Sequence, residues 1–399
     1  MKNKVELLSP AGDLERLKIA LEYGADAVYI GGPLLNLRAN AINFTFDEIK
    51  EAVIFAHERN KLVYVTVNIV LHQEDTTDLI DYLKHLDECH IDAIIVSDPY
   101  IIDLAHKNTN LSIHLSTQAS TMNIEAAKYW KSKGVDRIVL AREVKRDDIK
   151  KIKENVDIEI ETFIHGAMCA GVSGRCVMSN FLTNRDANRG GCSQICRWDF
   201  DLLDENKKTV KGKMPFTFCS KDLSMLKYIK DMIDIGITSF KIEGRMRSSY
   251  YIATVVSMYR RVIDECIQND KYEYNKEYEK VLRRVANRDS VPQFYNNVSD
   301  YRASYYNGRQ EISNQDFLGI ILNYNKKTHM AIVSQRNYFK VGDDVEIFGP
   351  NHDVINYKID KIFDEDNNII DVVRHPKQIV KMYINGPLEK DDMIRKKWS

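Results

Sequence analysis

Four of the seven cysteines in this 399-residue chain fall within twenty-eight residues, at Cys169, Cys176, Cys192 and Cys196. The intervals between them are six, fifteen and three residues. Clustered thiols in a cysteine-poor chain have three chemical uses: disulfides, a structural zinc, or an iron–sulfur cluster. Disulfides fit poorly. The count is odd, and the N-terminal MKNKVELLSPAG lacks the apolar run of a secretion signal, so a reducing cytoplasmic setting is expected. Zinc knuckles favour C-x2-C pairs, because two ligands on one tight turn close a tetrahedron. The closest pair here is C-x3-C and the others are wide, whereas iron–sulfur ligands occur at more varied spacings. Spacing by itself leaves a cluster, zinc and simple burial open. Cys219 is near enough to substitute as a fourth ligand, although FTFCS also reads as packing. Cys89 and Cys266 sit in helical patterns and read as packing residues.

The same stretch carries Arg175, Arg185, Arg189 and Arg197 against Asp186, and Lys241, Arg245 and Arg247 stand around Glu243. Gathered at one mouth, these cations form a local rim suited to a small anionic substrate or a phosphate backbone. The bland alternative is a solvated loop with scattered pairing. Further polar residues end predicted strands. The expected substrate-binding set is Asn68, Gln118, Arg142, Arg185, Arg189 and Arg197. The expected catalytic set is His165 as proton carrier, with Glu243 and Arg245. His165 reads equally as a structural histidine, and Glu243 equally as a neutraliser of Arg245. Neither G-x-S-x-G nor H-E-x-x-H is present, so no recognisable peptidase nucleophile or zinc-protease site is expected.

The elements that must position these residues alternate. Predicted strands at Val5–Leu8, Ala27–Ile30, Leu62–Val67, Ala93–Val96, Ser112–Leu115, Arg137–Leu140, Asp157–Phe163 and Ser239–Ile242 are each followed by a helical pattern. Asp13, for example, is placed to cap a helix over 14–23. Leu62–Val67 is too apolar for a half-exposed sheet and suits a buried parallel strand. Eight such units predict an α/β fold of the (β/α)8 TIM-like barrel type, with a Cys-rich insertion after strand seven at about residues 165–200. The competing open doubly wound sheet lacks its glycine-rich phosphate turn. In barrels of this kind chemistry sits where strands end, which puts the cysteines on the active face.

The barrel is expected to span residues 1–270. Residues 271–315 are polar and read as a linker with a helical piece near 276–286; its tyrosines 295, 301, 305 and 306 are candidates for an interface or for stacking on bases. From 316 to 399 the period changes to short strands divided by Gly, Asn and Asp, which predicts a small C-terminal all-β barrel domain. A net charge of −1 gives no global pull toward nucleic acid, so any basic surface must be local. No stretch approaches eighteen apolar residues, so no membrane partner is expected.

The run Glu161-x-Phe163-x2-Gly166-Ala-Met-Cys169-x4-Gly174-x-Cys176-x-Met178-Ser179 resembles the signature of the peptidase U32 family, the collagenase-like peptidases of unassigned catalytic type. The opening LLSPAGDLERLKIALEYGADAVYIGG, Tyr64-Val-Thr-Val-Asn68 and Phe240-Lys-Ile-Glu-Gly-Arg-Met246 are similar to that family too. The last eighty residues or so, through Ser334-Gln-Arg-Asn337 and Gly349-Pro350, resemble its C-terminal β-domain. The likeness is greatest to members implicated in 5-hydroxylation of the wobble uridine of tRNA, with prephenate as the implied hydroxyl donor. Sister members carry a 4Fe–4S cluster on cysteines of this region. The resemblance therefore implies a cluster on Cys169, Cys176, Cys192 and Cys196, with Cys219 the rival for the last position. It implies a tRNA anticodon arm as partner. The family label makes peptidase the alternative activity. A non-enzymatic scaffold subunit, paired with a second chain of the same family, is a further alternative.

Overall fold

The computed structural model describes residues 5–37, 43–210, 215–296, 299–305 and 316–398. The chain divides into two compact units: Met1–Glu279 with Arg288–Glu311, and Lys280–Asn287 with Ile312–Ser399.

The first unit is a closed parallel barrel. Its strands are β1 (Glu6–Pro10), β2 (Ala27–Gly31), β3 (Leu62–Val67), β4 (Ala93–Val96), β5 (Ser112–Leu115), β6 (Arg137–Val139) and β7 (Glu159–Gly166). After the short β8 (Asp222–Ser224), β9 (Ser239–Ile242) pairs with both β7 and β1 and closes the ring. Local sequence explains the helices between them. Asp13 accepts from the Arg16 backbone N–H, Thr45 and Glu48 form a reciprocal capping box, and Asp98 caps a helix that starts on Pro99. The strand faces turned to these helices are apolar and buried. Among the described residues no helix is long and apolar enough to cross a membrane.

The barrel interior is not uniformly apolar. Glu161, fully buried on β7, accepts from Lys241 Nζ at 2.7 Å and from Arg137 Nη1 at 3.2 Å. Arg137 also bonds Glu6 at 2.5 Å, and Tyr64 donates to Glu6 at 2.6 Å. Burial pushes the Glu161 carboxyl up, but Lys241, Arg137 and His114 outweigh it and hold it down at about 2. Burial and Arg137 push His114 well below the usual histidine range, so it is neutral. Lys241, read above as a rim cation, is therefore part of this internal network.

Two expectations change. Residues 221–233, whose pattern after the excursion reads as a helix, begin instead as β8, antiparallel to the end of β7 through His165↔Ser224, and only Ile229–Ile235 is α-helical. Arg288 holds Asp222 in place at 2.5 Å, and Met225 N–H bonds the Ile164 carbonyl; pairing across the fold outweighs local helix preference. The segment read as a linker also returns to the barrel. Ser290–Val291 pairs parallel with β8, while Tyr295 and Tyr305 are buried, with Tyr295 donating to Asp231 at 2.7 Å. Tyr301 is exposed, and Tyr306 lies outside the described residues.

The second unit is antiparallel and all-β apart from helical residues at its start. Its main sheet runs, by strand, 352–358, 344–349, 393–396, 317–325, 330–335, 379–383, 362–363 and 369–370. No pairing among the described residues joins the first and last strands, so a closed barrel is not formed by its ladder. The strand Met393–Lys396, absent from the sequence reading, is central: its Met-Ile-Arg-Lys composition hides an alternation completed only by partners on both sides.

Candidate active site at the barrel mouth

The mouth is built from strand ends. Arg142, just past β6, lies with its guanidinium 3.8 Å over the Phe163 ring and donates to the Ala167 carbonyl at 2.6 Å. Its other nitrogen is 3.5 Å from a Glu243 carboxylate oxygen, which also meets the Tyr29 hydroxyl at 3.5 Å. Arg245, past β9, is buried; it donates to Thr66 Oγ1 at 3.3 Å and Asn36 Oδ1 at 3.1 Å. Glycine at 31 makes this crossing possible, because a Cβ there would stand 2.1 Å from Arg245 Nη1. Just past β3, the Asn68 amide donates to Ser116 Oγ at 3.4 Å, while its Oδ1 has no partner among the described residues. Gln118 is 3% exposed and its Oε1 is likewise unpartnered. A buried acceptor without a donor costs about 1–3 kcal/mol, and such groups concentrate where a ligand completes them.

The cysteine excursion folds over this mouth. Gly166, at a φ of +111°, turns the chain out of β7 beside the Glu243 carbonyl. Ser173 N–H bonds Glu143 Oε1 at 2.9 Å, past β6. Residues 172–174 pack on 117–119, past β5. Asn188 O accepts from Val70 N–H, past β3. Arg189 bonds the Val70 carbonyl at 3.0 Å and grips the Asp75 carboxylate with both nitrogens. That bond to Arg189 holds the Asp75 carboxyl below the usual range.

The thiols of the excursion share one neighbourhood. Burial pushes the Cys169 thiol up, Arg142 opposes it, and Cys192 and Cys176 are near enough to add to the rise. Burial lifts Cys196 to about 11, with Cys169, Cys192 and Cys219 adding, and Arg197 opposing. Cys169 is thus near Cys176, Cys192 and Arg142, and Cys196 is near Cys169, Cys192, Cys219 and Arg197. As arranged, no three His, Cys, Asp or Glu side chains among the described residues are grouped to hold a metal ion. Cys219 is buried and 3.8 Å from Arg288 Nη1. Cys89 and Cys266 are buried among helices.

Asn68, Gln118, Arg142, Glu243 and Arg245 are therefore brought to the mouth. The other expected residues go elsewhere. A register shift between Phe163 and His165 breaks the alternation of β7. His165 consequently packs against Tyr251 and Tyr259 of the closing helix Ser249–Gln268, with Nδ1 3.3 Å from the Tyr259 hydroxyl. Burial, with Arg247 nearby, drives it down to about 3, so it stays neutral. Arg189 is consumed by its clamp on Asp75. Arg197, half-buried, bonds Gln194 at 2.7 Å; burial and Arg288 push its guanidinium down. Arg185 is exposed on the outer side. Ser116, Thr66 and Asn36 were missed; the polar HLSTQ at the end of β5 was the available signal for the first.

The peptidase family U32 profile matches residues 12–304, and that of the family's C-terminal domain matches 313–395. The chain belongs to peptidase family U32. It is 48% identical over 400 residues to tRNA hydroxylation protein P1 of Bacillus subtilis, covering 98% of this chain and 95% of that one. It is 38% identical over 266 residues to 23S rRNA 5-hydroxycytidine C2501 synthase of Escherichia coli, covering 67% of this chain and 40% of that protein. A collagenase of Porphyromonas gingivalis is 32% identical over 380 residues, covering 90% of each.

Proposed function

We propose that this chain is an RNA-hydroxylating enzyme, acting in 5-hydroxylation of the wobble uridine of tRNA with prephenate as hydroxyl donor. The observation that carries the reading is the mouth itself. Asn68 and Gln118, whose amide oxygens have no partner among the described residues, and Arg142 and Arg245 all follow strand ends at this mouth. Hydroxyl-bearing carboxylates need that combination: acceptors for the hydroxyl, guanidinium forks for the carboxylates. The likeness over nearly the full chain to a protein named for tRNA hydroxylation supports the RNA class.

Cys169, Cys176, Cys192 and Cys196 are the residues that would hold a 4Fe–4S cluster, with Cys219 the rival for the fourth place. Such a group supplies electron transfer or Lewis-acid activation when bound. Around it the chain's own residues have separate tasks. Phe163 fixes the Arg142 plane by stacking, so its guanidinium is oriented before an anion arrives. Glu243 balances Arg142 at 3.5 Å, and an incoming carboxylate would take over that guanidinium. The Arg189–Asp75 clamp holds the excursion down and limits water.

The peptidase reading has a relative's name behind it. Among the described residues, however, no Ser or Thr hydroxyl and no thiol bonds a histidine, so a nucleophile–base pair is missing. The test is nucleoside mass spectrometry of tRNA from a strain lacking this gene and its paralogues. Loss of 5-hydroxylated wobble uridine, restored by the gene, is expected; an unchanged modification pattern refutes the proposal.

A further inference from the structure

The outer face of the cysteine excursion has no task in the site described above, and its composition is unusual. Phe181 is 82% exposed, and Trp198 and Phe218 are also exposed. The backbone that carries Phe181 is anchored. The helix Met178–Thr183 that carries Phe181 is pinned by Thr183 Oγ1 to Ser193 Oγ at 3.0 Å and by Ser193 N–H to Ser179 Oγ at 3.1 Å. It packs on the turn Ile195–Arg197, and Trp198 follows directly. Phe218 stands edge-on to Phe216 at 4.8 Å and to Phe200 at 5.5 Å. Arg175 and Arg185 are exposed on the same excursion, and neither side chain has a partner among the described residues. The Asp186 carboxylate is engaged with Asn188 N–H at 2.8 Å.

We propose that Phe181 and Trp198, flanked by Arg175 and Arg185, form a stacking platform that receives the unpaired bases of an RNA loop at the barrel mouth. This rests on the RNA reading above and names the surface that serves it. Exposed rings on an anchored backbone offer π-faces to any base, and free guanidinium groups meet the intervening phosphates. A second copy of the chain fits less well. Two-fold pairing would set this face against itself and bring Arg175 and Arg185 against their own copies, like charge on like. The same excursion is tied through residues 172–174 and 188 to the ends of β3, β5 and β6, so its surface belongs to the end of the barrel where Asn68 and Gln118 follow their strands.

The experiment uses full-length protein purified without oxygen, with iron and sulfide measured on every variant. The probes are a synthetic RNA hairpin with an unpaired, unmodified loop and a blunt RNA duplex of equal length. Phe181→Ala with Trp198→Ala is expected to weaken hairpin binding about fivefold or more per ring, and to leave duplex binding and iron content unchanged. Arg175→Gln with Arg185→Gln is expected to flatten the salt dependence of hairpin binding by roughly 0.7 in log–log slope per lost phosphate contact. Wild-type hairpin affinity in the aromatic variant overturns the platform. So does conversion of a dimer to a monomer with RNA affinity unchanged, which assigns the face to a second copy. Nucleoside analysis of the complemented strain separates the two ideas. If modification is restored while the aromatic variant binds normally, the platform fails and hydroxylation stands. If the rings govern binding but modification never returns, the platform stands and hydroxylation fails.

Discussion

Lys241→Met tests the charged barrel interior beneath the site. In the native chain Lys241 Nζ is 2.7 Å from Glu161 Oε1, and both residues are buried. Methionine keeps the stem and removes the charge. Glu161 then keeps Arg137 at 3.2 Å and Ser239 at 3.1 Å, but Arg137 is already shared with Glu6 and Glu159. Removing one partner of a buried pair costs about 3–5 kcal/mol, and the remaining partners place this case near 3. The acid limb gives a second estimate. Holding the Glu161 carboxyl at about 2 rather than 4.5 corresponds to roughly 3 kcal/mol of stability at neutral pH. Because the folded value is depressed, that stability is complete above about 4.5 and is lost as pH falls toward 2. The assay is urea denaturation followed by helical circular dichroism, which reports the barrel unit because the other unit is nearly all β. The expected result is a loss of about 3 kcal/mol at pH 8 and a smaller loss near pH 4, where a protonated Glu161 needs no partner. Adding Glu161→Gln should recover part of it. A loss under about 1 kcal/mol, or an equal loss at both pH values, refutes the reasoning.

Further outcomes follow from the site. Gln118→Leu removes an unpartnered buried acceptor, so it should raise the stability of the protein by about 1 kcal/mol while lowering wobble-uridine modification at least tenfold; denaturation and nucleoside analysis check both. His165→Phe fills the same space between Tyr251 and Tyr259, so modification should persist near the wild-type level; its loss would return His165 to the reaction. Cys176→Ala should abolish sulfide and iron in oxygen-free preparations, and comparing Cys196→Ala with Cys219→Ala identifies the fourth ligand; one zinc and no sulfide in the wild type would remake the excursion as a structural clip. Arg189→Ala frees the excursion from Asp75, and limited proteolysis between residues 170 and 200 should accelerate several-fold.

The architecture was legible because parallel barrels declare themselves locally. Each β/α unit carries its own apolar run, cap and stop, so Leu62–Val67 and Ala93–Val96 match their predicted bounds residue for residue. The segment after the excursion was misread because β8 is a strand only through its partners: three residues, Asp222–Ser224, carry no period of their own. The mouth was legible in part. Asn68, Gln118, Arg142, Glu243 and Arg245 follow strand ends directly, and strand ends are fixed by the pattern.

What the sequence by itself determined was the count of β/α units, the place of the excursion after β7 and the presence of four thiols in one short loop. These are properties of order and spacing along the chain. What only the tertiary structure decided was the direction and company of single side chains. A one-residue register shift before His165 turned it from the mouth into the helix layer, because side-chain direction alternates and any slip reverses it. Arg189 met Asp75 across 114 positions, and Lys241 met Glu161 across 80. Such pairs leave no local trace, since each partner alone reads as an ordinary surface charge until the fold removes the water around it.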